Sequence, residues 1–371
     1  MLAYLKQWIS VWDYLALDSK KKSITFYSEG KNYWPYLKDI VIEVLNITDI
    51  DIHYITSDEQ DPGLQYKNKK LKHMLIDEGM LRTWFFQNIN TKILIMTMPD
   101  LGNYKVKKSS KTKYYIYTHH ALNSFSSALR KGAIDNFDVI FCPGPHHVEE
   151  VKMLEKFYGL PKKATVETGY AKIDMLIKKY EKYTGNVKVN KEKEMVLIAP
   201  TWGKNGIIEI GKGIEIVDSL ISQGYRVTLR PHPETFKYSL DEITKIKSKF
   251  INNKDLSFEQ DVSRDETLFE STALVTDWSG IAWEYALALK KPILFYDTPA
   301  RINNSDFHKL PMDSFENRMR NKCGQIWNGK DNIRRIIKDI DSKQLDVTDY
   351  VYNIGKSSNI AAQYIKDLAN E

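Results

Sequence analysis

ALVTDWSGIAWEYALALKKPILFYDTP, residues 273–299, is the stretch on which the fold turns. A short apolar run, 273–276, reads as a strand that ends at Asp277. Trp278, Ser279 and Gly280 then turn the chain straight into a helical segment, 281–289, and a second apolar strand follows at 292–296. Strand, tight turn, helix and strand in that order make a crossover, and crossovers build mostly parallel sheets. The turn also aims free backbone N–H groups and the positive end of a helix dipole at one point, which suits a phosphate. Gly280 permits close approach to the backbone, and Ser279 adds a hydroxyl donor. Asp277 closes the strand at the edge where open α/β sheets bind ligands. Glu284, one turn into the helix, is placed to accept from ribose hydroxyls. A plain crossover with Asp277 or Ser279 as an ordinary helix cap fits this segment alone equally well.

Two neighbouring segments favour the binding reading. LRPHPE, 229–234, carries Arg230 to the end of a strand expected over 226–230. His232 is held between two prolines, which restrict the backbone on both sides. Both side chains can hydrogen-bond a diphosphate there, and the histidine can also protonate a leaving group. A tight turn with a surface histidine is the competing view. APTWG, 199–203, is another strand-end turn, after an expected strand at 195–199, and its Thr201 lines the same edge.

The alternation extends in both directions. Strands are expected at 23–27, 51–56, 92–98, 113–118 and 138–142, with helices at 34–45, 80–86 and 146–158. Beyond 200, helices are expected at 214–223, 267–271 and 359–370. Residues 178–194 turn polar and lysine-rich without clear periodicity and read as a linker. The expectation is an α/β chain with an acceptor-side Rossmann-like domain over 1–180, a linker over 181–194 and a donor-binding Rossmann-like domain over 195–371.

Histidines cluster at two strand ends of the first half. YTHHALNS, 117–124, places His119 and His120 after one strand, where a neutral imidazole can act as general base on an acceptor hydroxyl. CPGPHH, 142–147, places His146 and His147 after another, and packing or helix capping explains that pair nearly as well. No run supplies the carboxylates or spacing of a metal site, so neither metal nor cofactor is expected.

Composition sets outer bounds. At 371 residues the chain suits two α/β domains. Its 54 Lys plus Arg against 48 Asp plus Glu give a net charge of +6. That favours anionic substrates or anionic lipid and falls short of a nucleic-acid binder. Cys142 and Cys323 exclude a disulfide scaffold and suit a reducing compartment. With no long apolar run and no secretory leader, the cytoplasm is the expected location. Leu2, Leu5, Trp8, Ile9, Trp12 and Leu15 recur at helical spacing ahead of Lys20, Lys21 and Lys22. Such a helix can lie on an anionic leaflet at the inner face of the membrane, or pack on the body of the protein or on a second copy.

Gly-rich phosphate loops, GxGxxG and GxSxG are missing from the sequence, and no acidic metal-binding pair of the DxD kind follows a strand. APTW, RPHPE and TDWSG…EYA…KKPILFY, in this order and spacing, resemble the CDP-glycerol glycerophosphotransferase family of teichoic-acid and capsule assembly. The likeness covers the second half and extends more loosely to YTHHALNS and DVIFCPGPHHVEEV. It implies a GT-B fold: two Rossmann-like domains facing a cleft, with a C-terminal helix crossing back. It implies donor binding by His232, Asp277, Ser279 and neighbours, and a first-domain histidine as base, His120 or the adjacent His119. The expected donor is a CDP-alditol and the acceptor a saccharide or lipid-linked hydroxyl. Trp278, Gly280 and Ala121 depart from the family pattern, which leaves CDP-glycerol, CDP-ribitol and nucleotide sugars open. A glycosyltransferase of the same fold and a non-catalytic nucleotide-binding partner of a polysaccharide assembly complex are the alternatives.

Overall fold

The computed structural model describes residues 2–102, 106–186, 193–262, 264–341 and 345–371. Seven strands form the first sheet: β1 (Ile24–Ser28), β2 (Ile52–Thr56), β3 (Leu71–Leu75), β4 (Ile93–Met96), β5 (Tyr114–Tyr117), β6 (Val139–Cys142) and β7 (Ala164–Glu167). They pair in the order 3-2-1-4-5-6-7, parallel throughout. Six strands form the second: β8 (Met195–Ile198), β9 (Arg226–Leu229), β10 (Leu256–Phe258), β11 (Ala273–Thr276), β12 (Ile293–Tyr296) and β13 (Gly324–Trp327). Their order is 10-9-8-11-12-13, again all parallel. The inner strands are continuous apolar runs such as ILIM in β4 and MVLI in β8, buried on both faces.

Strand order reverses between β1 and β4 in the first sheet and between β8 and β11 in the second. At such a switch point the connections leave in opposite directions and open a crevice beyond the carboxyl ends. The crevices of the two sheets hold the residues described below.

The last helix, Ser357–Asn370, returns to the first half. Ala361, Ala362, Ile365 and Leu368 share a core with Ile24, Phe26, Leu37, Val41 and Phe141. Lys92 Nζ donates to the Ala369 carbonyl at 2.8 Å. On its way back the chain passes so close to Gly144 that a Cβ there would stand 1.9 Å from the Tyr350 carbonyl oxygen.

Two expectations are corrected. The polar stretch 178–194 is not a linker from its start, because the helix Ala171–Asn186 runs through it. Ile173 and Leu176 are buried, and Tyr180 and Tyr183 pack on Phe269 at 5.6 and 5.5 Å. Residues 187–192 lie outside the described residues. Strands β3, β7, β10 and β13 were not expected, and they are the four outer edges of the two sheets.

Candidate functional site

At the carboxyl edge of the second sheet, Asp277 follows β11 and is buried. Its Oδ1 accepts from the backbone N–H of Thr201 (2.7 Å) and of Trp278 (2.7 Å), and its Oδ2 from the N–H of Ile207 (3.1 Å). Burial raises its carboxyl above the ordinary range, and these N–H groups pull it back. Asp277 therefore anchors the loop after β8 across the switch point. The role that the sequence suggested, contact with the donor, gives way here to bonds within the protein. The loop it anchors carries Thr201 and Trp202.

Those two residues belong to a tight group. Arg301, five residues past β12, donates through Nη1 to Thr201 Oγ1 at 3.2 Å. Its guanidinium lies over the Trp202 ring at 4.4 Å. Trp202 is stacked near His232 at 5.9 Å and 28°. His232 caps the helix Pro233–Tyr238, its Nδ1 accepting from the Glu234 N–H at 3.1 Å. The ring is thus the tautomer with its proton on Nε2, a donor to any anion in the crevice. Burial, helped by Arg301, lowers its pKa to about 4. At neutral pH it is an uncharged hydrogen-bond donor. Arg301 was missed from the sequence because it lies in a loop without a motif.

Arg230 and Glu284 are also placed differently from expectation. The Arg230 side chain is buried, with Nε on Glu259 Oε2 (2.7 Å) and Nη2 on the Arg264 carbonyl (2.9 Å) and on Thr267. It braces β9 against the chain after β10 instead of reaching a diphosphate. Buried Glu284 accepts from Tyr170 Oη at 3.1 Å, and Tyr170 stacks on Tyr36 at 6.1 Å. It sits in the joint between the halves, not on a ribose. Ser279 remains half-exposed beside the N-terminus of the helix Ile281–Leu289, for which Gly280 is the cap residue. What approaches Gly280 is the other half of the protein: a Cβ there would meet Asn123 Oδ1 at 2.7 Å.

The first sheet presents His120 at its own switch point. Nδ1–H donates to the Thr97 carbonyl at 3.2 Å, which leaves the Nε2 lone pair as the basic site. Tyr33 and Tyr36 meet the ring edge-on at 5.6 and 6.4 Å. Desolvation lowers its pKa, and the Thr97 carbonyl opposes this. Thr97 Oγ1 in turn donates to Glu29 Oε2 at 3.3 Å. Glu29, just past β1, is pushed up to about 7 by burial, against the Thr97 hydroxyl and Arg82.

The other three histidines turn inward. His119 is buried against Phe125 (4.5 Å) and His147 (4.1 Å). His147 touches His146 at 3.8 Å, and His146 is stacked on Phe315 of the second half at 3.9 Å and 12°. His146 Nε2–H donates to the Leu122 carbonyl at 3.1 Å. Burial lowers all three, His146 to about 3, so they are neutral packing groups. Among the described residues no three His, Cys, Asp or Glu side chains are grouped as metal ligands.

The geometry is thus a first-half imidazole with a free lone pair beyond the carboxyl ends of one sheet, and a group of Thr201, Trp202, His232 and Arg301 beyond those of the other. The family model for CDP-glycerol:poly(glycerophosphate) glycerophosphotransferase matches residues 13–346. The chain belongs to this family. A family relative, the teichoic acid poly(glycerol phosphate) polymerase of Bacillus spizizenii, is 28% identical over 173 residues, which are 43% of this chain and 41% of the relative. The chain thus matches about two fifths of that relative's length. Among solved structures, the wall teichoic acid polymerase TagF, in a histidine-to-asparagine variant soaked with CDPG, is similar with a TM-score of 0.61. It is 14% identical, with 100% of this chain and 96% of that chain covered. The UDP-GlcNAc 2-epimerase of Methanocaldococcus jannaschii, in complex with UDP-GlcNAc and UDP, has a TM-score of 0.60 at 16% identity, covering 94% and 99%. At these identities the likeness is one of fold, and the fold is GT-B.

Proposed function

We propose that this protein transfers an alditol phosphate, glycerol phosphate in the first instance, from a CDP-alditol to a hydroxyl of a saccharide or lipid-linked acceptor in cell-surface polymer synthesis. The observation that carries the reading is His120, its Nε2 lone pair free at one crevice and His232 with Arg301 at the other. Family membership supports the donor class. His120 Nε2 takes the proton of the acceptor hydroxyl, and the oxygen attacks the β-phosphorus of the donor. The bond from that phosphorus to the bridging oxygen breaks, and CMP leaves with the electron pair. His232 Nε2–H, Arg301, Thr201, Ser279 and the backbone at Gly280 hold the charge on the diphosphate, the electrostatic work on which phosphoryl transfer depends. Asp277, Arg230 and Glu284 hold these groups in place.

Incubation with CDP-glycerol, CDP-ribitol and nucleotide sugars tests the reading. A phosphodiester product with CMP supports it, and a glycoside with a nucleoside diphosphate replaces it by glycosyl transfer. Trp278 and Gly280, which depart from the family pattern beside the donor crevice, are the observation that keeps nucleotide sugars in the panel. No turnover of any donor, with tight binding retained, points to a nucleotide-binding assembly partner.

The same proposal places the protein at the inner face of the membrane. Among the described residues no helix is long and apolar enough to span one. The helix Leu2–Ala16 buries Val11 and Tyr14 and packs Trp8 on Trp84 at 5.3 Å, yet leaves Leu5 (57%), Ile9 (52%) and Trp12 (57%) exposed. Neighbouring Lys20 and Lys21 suit an anionic leaflet. Co-sedimentation with anionic vesicles should drop when Leu5, Ile9 and Trp12 are replaced by Ser, and equal binding removes the membrane from the proposal.

A further inference from the structure

Three neighbouring strands of the first sheet, β1, β4 and β5, bring Glu29, Thr97 and His120 to one edge. Tyr27 pairs with Met96 and Met96 with Tyr117, so Thr97 is the first residue beyond that row and Glu29 and His120 flank it. Thr97 is buried and bonded on both sides. Its carbonyl receives His120 Nδ1–H, and its hydroxyl donates to Glu29 Oε2.

We infer that Glu29 is a positioning residue for His120, which through Thr97 fixes the imidazole at the crevice and balances the charge the ring gains on taking the acceptor's proton. The kinetic half of this inference rests on the transfer reaction proposed above; the titration of His120 does not. A backbone carbonyl cannot pass a proton onward, so the link is one of geometry and charge. The proton taken by Nε2 stays on the ring until solvent removes it.

The charges around Glu29 come from several elements. Arg82, on the helix Met80–Asn88, opposes its charge, while Glu78 ahead of that helix and Asp100 beyond β4 share its sign. Tyr27, Tyr33 and Tyr117 are neutral, and the Glu29 charge raises each of them further. Around His120 stand Tyr33, Tyr36 and neutral His119. Glu29 is thus the carboxylate tied to the residue that orients the base, and it titrates close to neutral pH.

The test uses the full chain with Glu29→Gln and Thr97→Val. Glutamine keeps an acceptor for the Thr97 hydroxyl and removes the charge, while valine cuts the side-chain link and keeps the carbonyl. The His120 titration is followed by NMR with labelled histidine, assigned through His120→Asn. In Glu29→Gln its midpoint should fall by roughly 0.2–0.5 pH unit, less than the full effect of a nearby charge because Glu29 is itself largely protonated where the ring titrates. The acid limb of kcat/KM should shift the same way, with kcat several-fold lower and donor KM unchanged. Thr97→Val should shift both in the same direction by less. An unmoved His120 midpoint in folded Glu29→Gln, or in Thr97→Val if the first variant fails to fold, overturns the inference. If the wild type turns over no donor, the transfer reading fails while the midpoint still decides the role of Glu29.

Discussion

A Cβ on Gly280 would lie 2.7 Å from Asn123 Oδ1 and 3.4 Å from the Ala121 Cβ, so the start of the helix Ile281–Leu289 rests against the turn that follows His120. This contact couples the donor side to the base. Gly280→Ala should push the 121–123 turn away and lower kcat about tenfold with little change in Tm. Asn123→Ala in the same chain should restore most of the rate. A double-mutant cycle measures the coupling, and additive effects would contradict it.

His120 and His232 should fail in different ways. His120→Ala should lower kcat by roughly 10²–10⁴ while donor affinity holds, because a general base acts only in the chemical step. His232→Ala removes an N–H aimed at the diphosphate and should lower kcat by roughly 10²–10³. Calorimetric titration with CDP-glycerol, read beside turnover, should show weaker donor binding in the second variant alone.

Asp277→Asn should loosen the loop that carries Thr201 and Trp202. The amide oxygen can accept from one or two of the three N–H groups now served, and an orphaned buried donor costs about 1–3 kcal/mol. Donor KM should rise and Tm should fall together. A variant with raised KM and unchanged Tm would instead make Asp277 a direct donor contact.

Buried histidines and buried carboxyls oppose one another in acid stability. Buried His119, His146 and His147 are lowered, so the unfolded chain binds protons below about 6.5 that the folded chain refuses, and stability falls with pH. By pH 5 His146 alone contributes a loss of about 2 kcal/mol. Glu29 and Glu150 are raised to about 7 by burial, so their stabilising protons are lost as pH rises from 4.5 to 7. The opposition should hold Tm nearly level between pH 6.5 and 4.5 and release a steep fall below. Glu150→Gln should make the fall begin near pH 6.5 in thermal melts.

The sequence revealed the architecture where strands are buried and hid it where they are not. β4 is an unbroken apolar run and β11 is apolar up to its last residue, while edge strand β7, ATVE, is half in solvent and carries no apolar signature. In the helix Ala171–Asn186, Ile173, Leu176, Tyr180 and Tyr183 do keep a spacing of three or four, masked by the lysines between them. His120 and His232 were legible because each follows a strand. The work of Asp277 was not, since the backbone it holds is 76 residues away. Arg230 was read as a ligand contact because its partner Glu259 is likewise remote in sequence. Arg301 and Glu29 carry no local motif, and only the folded edges bring them to Trp202 and Thr97.

The returning helix Ser357–Asn370 has a consequence for how the protein is made. Ile24, Phe26 and Val41 leave the ribosome long before Ala361, Ala362 and Ile365, the residues that cover them. Until the second half has been translated, the first sheet keeps that apolar flank bare. Order of synthesis and order of completion are therefore uncoupled. The last turns of the chain act as a clasp, and the first half reaches its finished form only when the second is already in place.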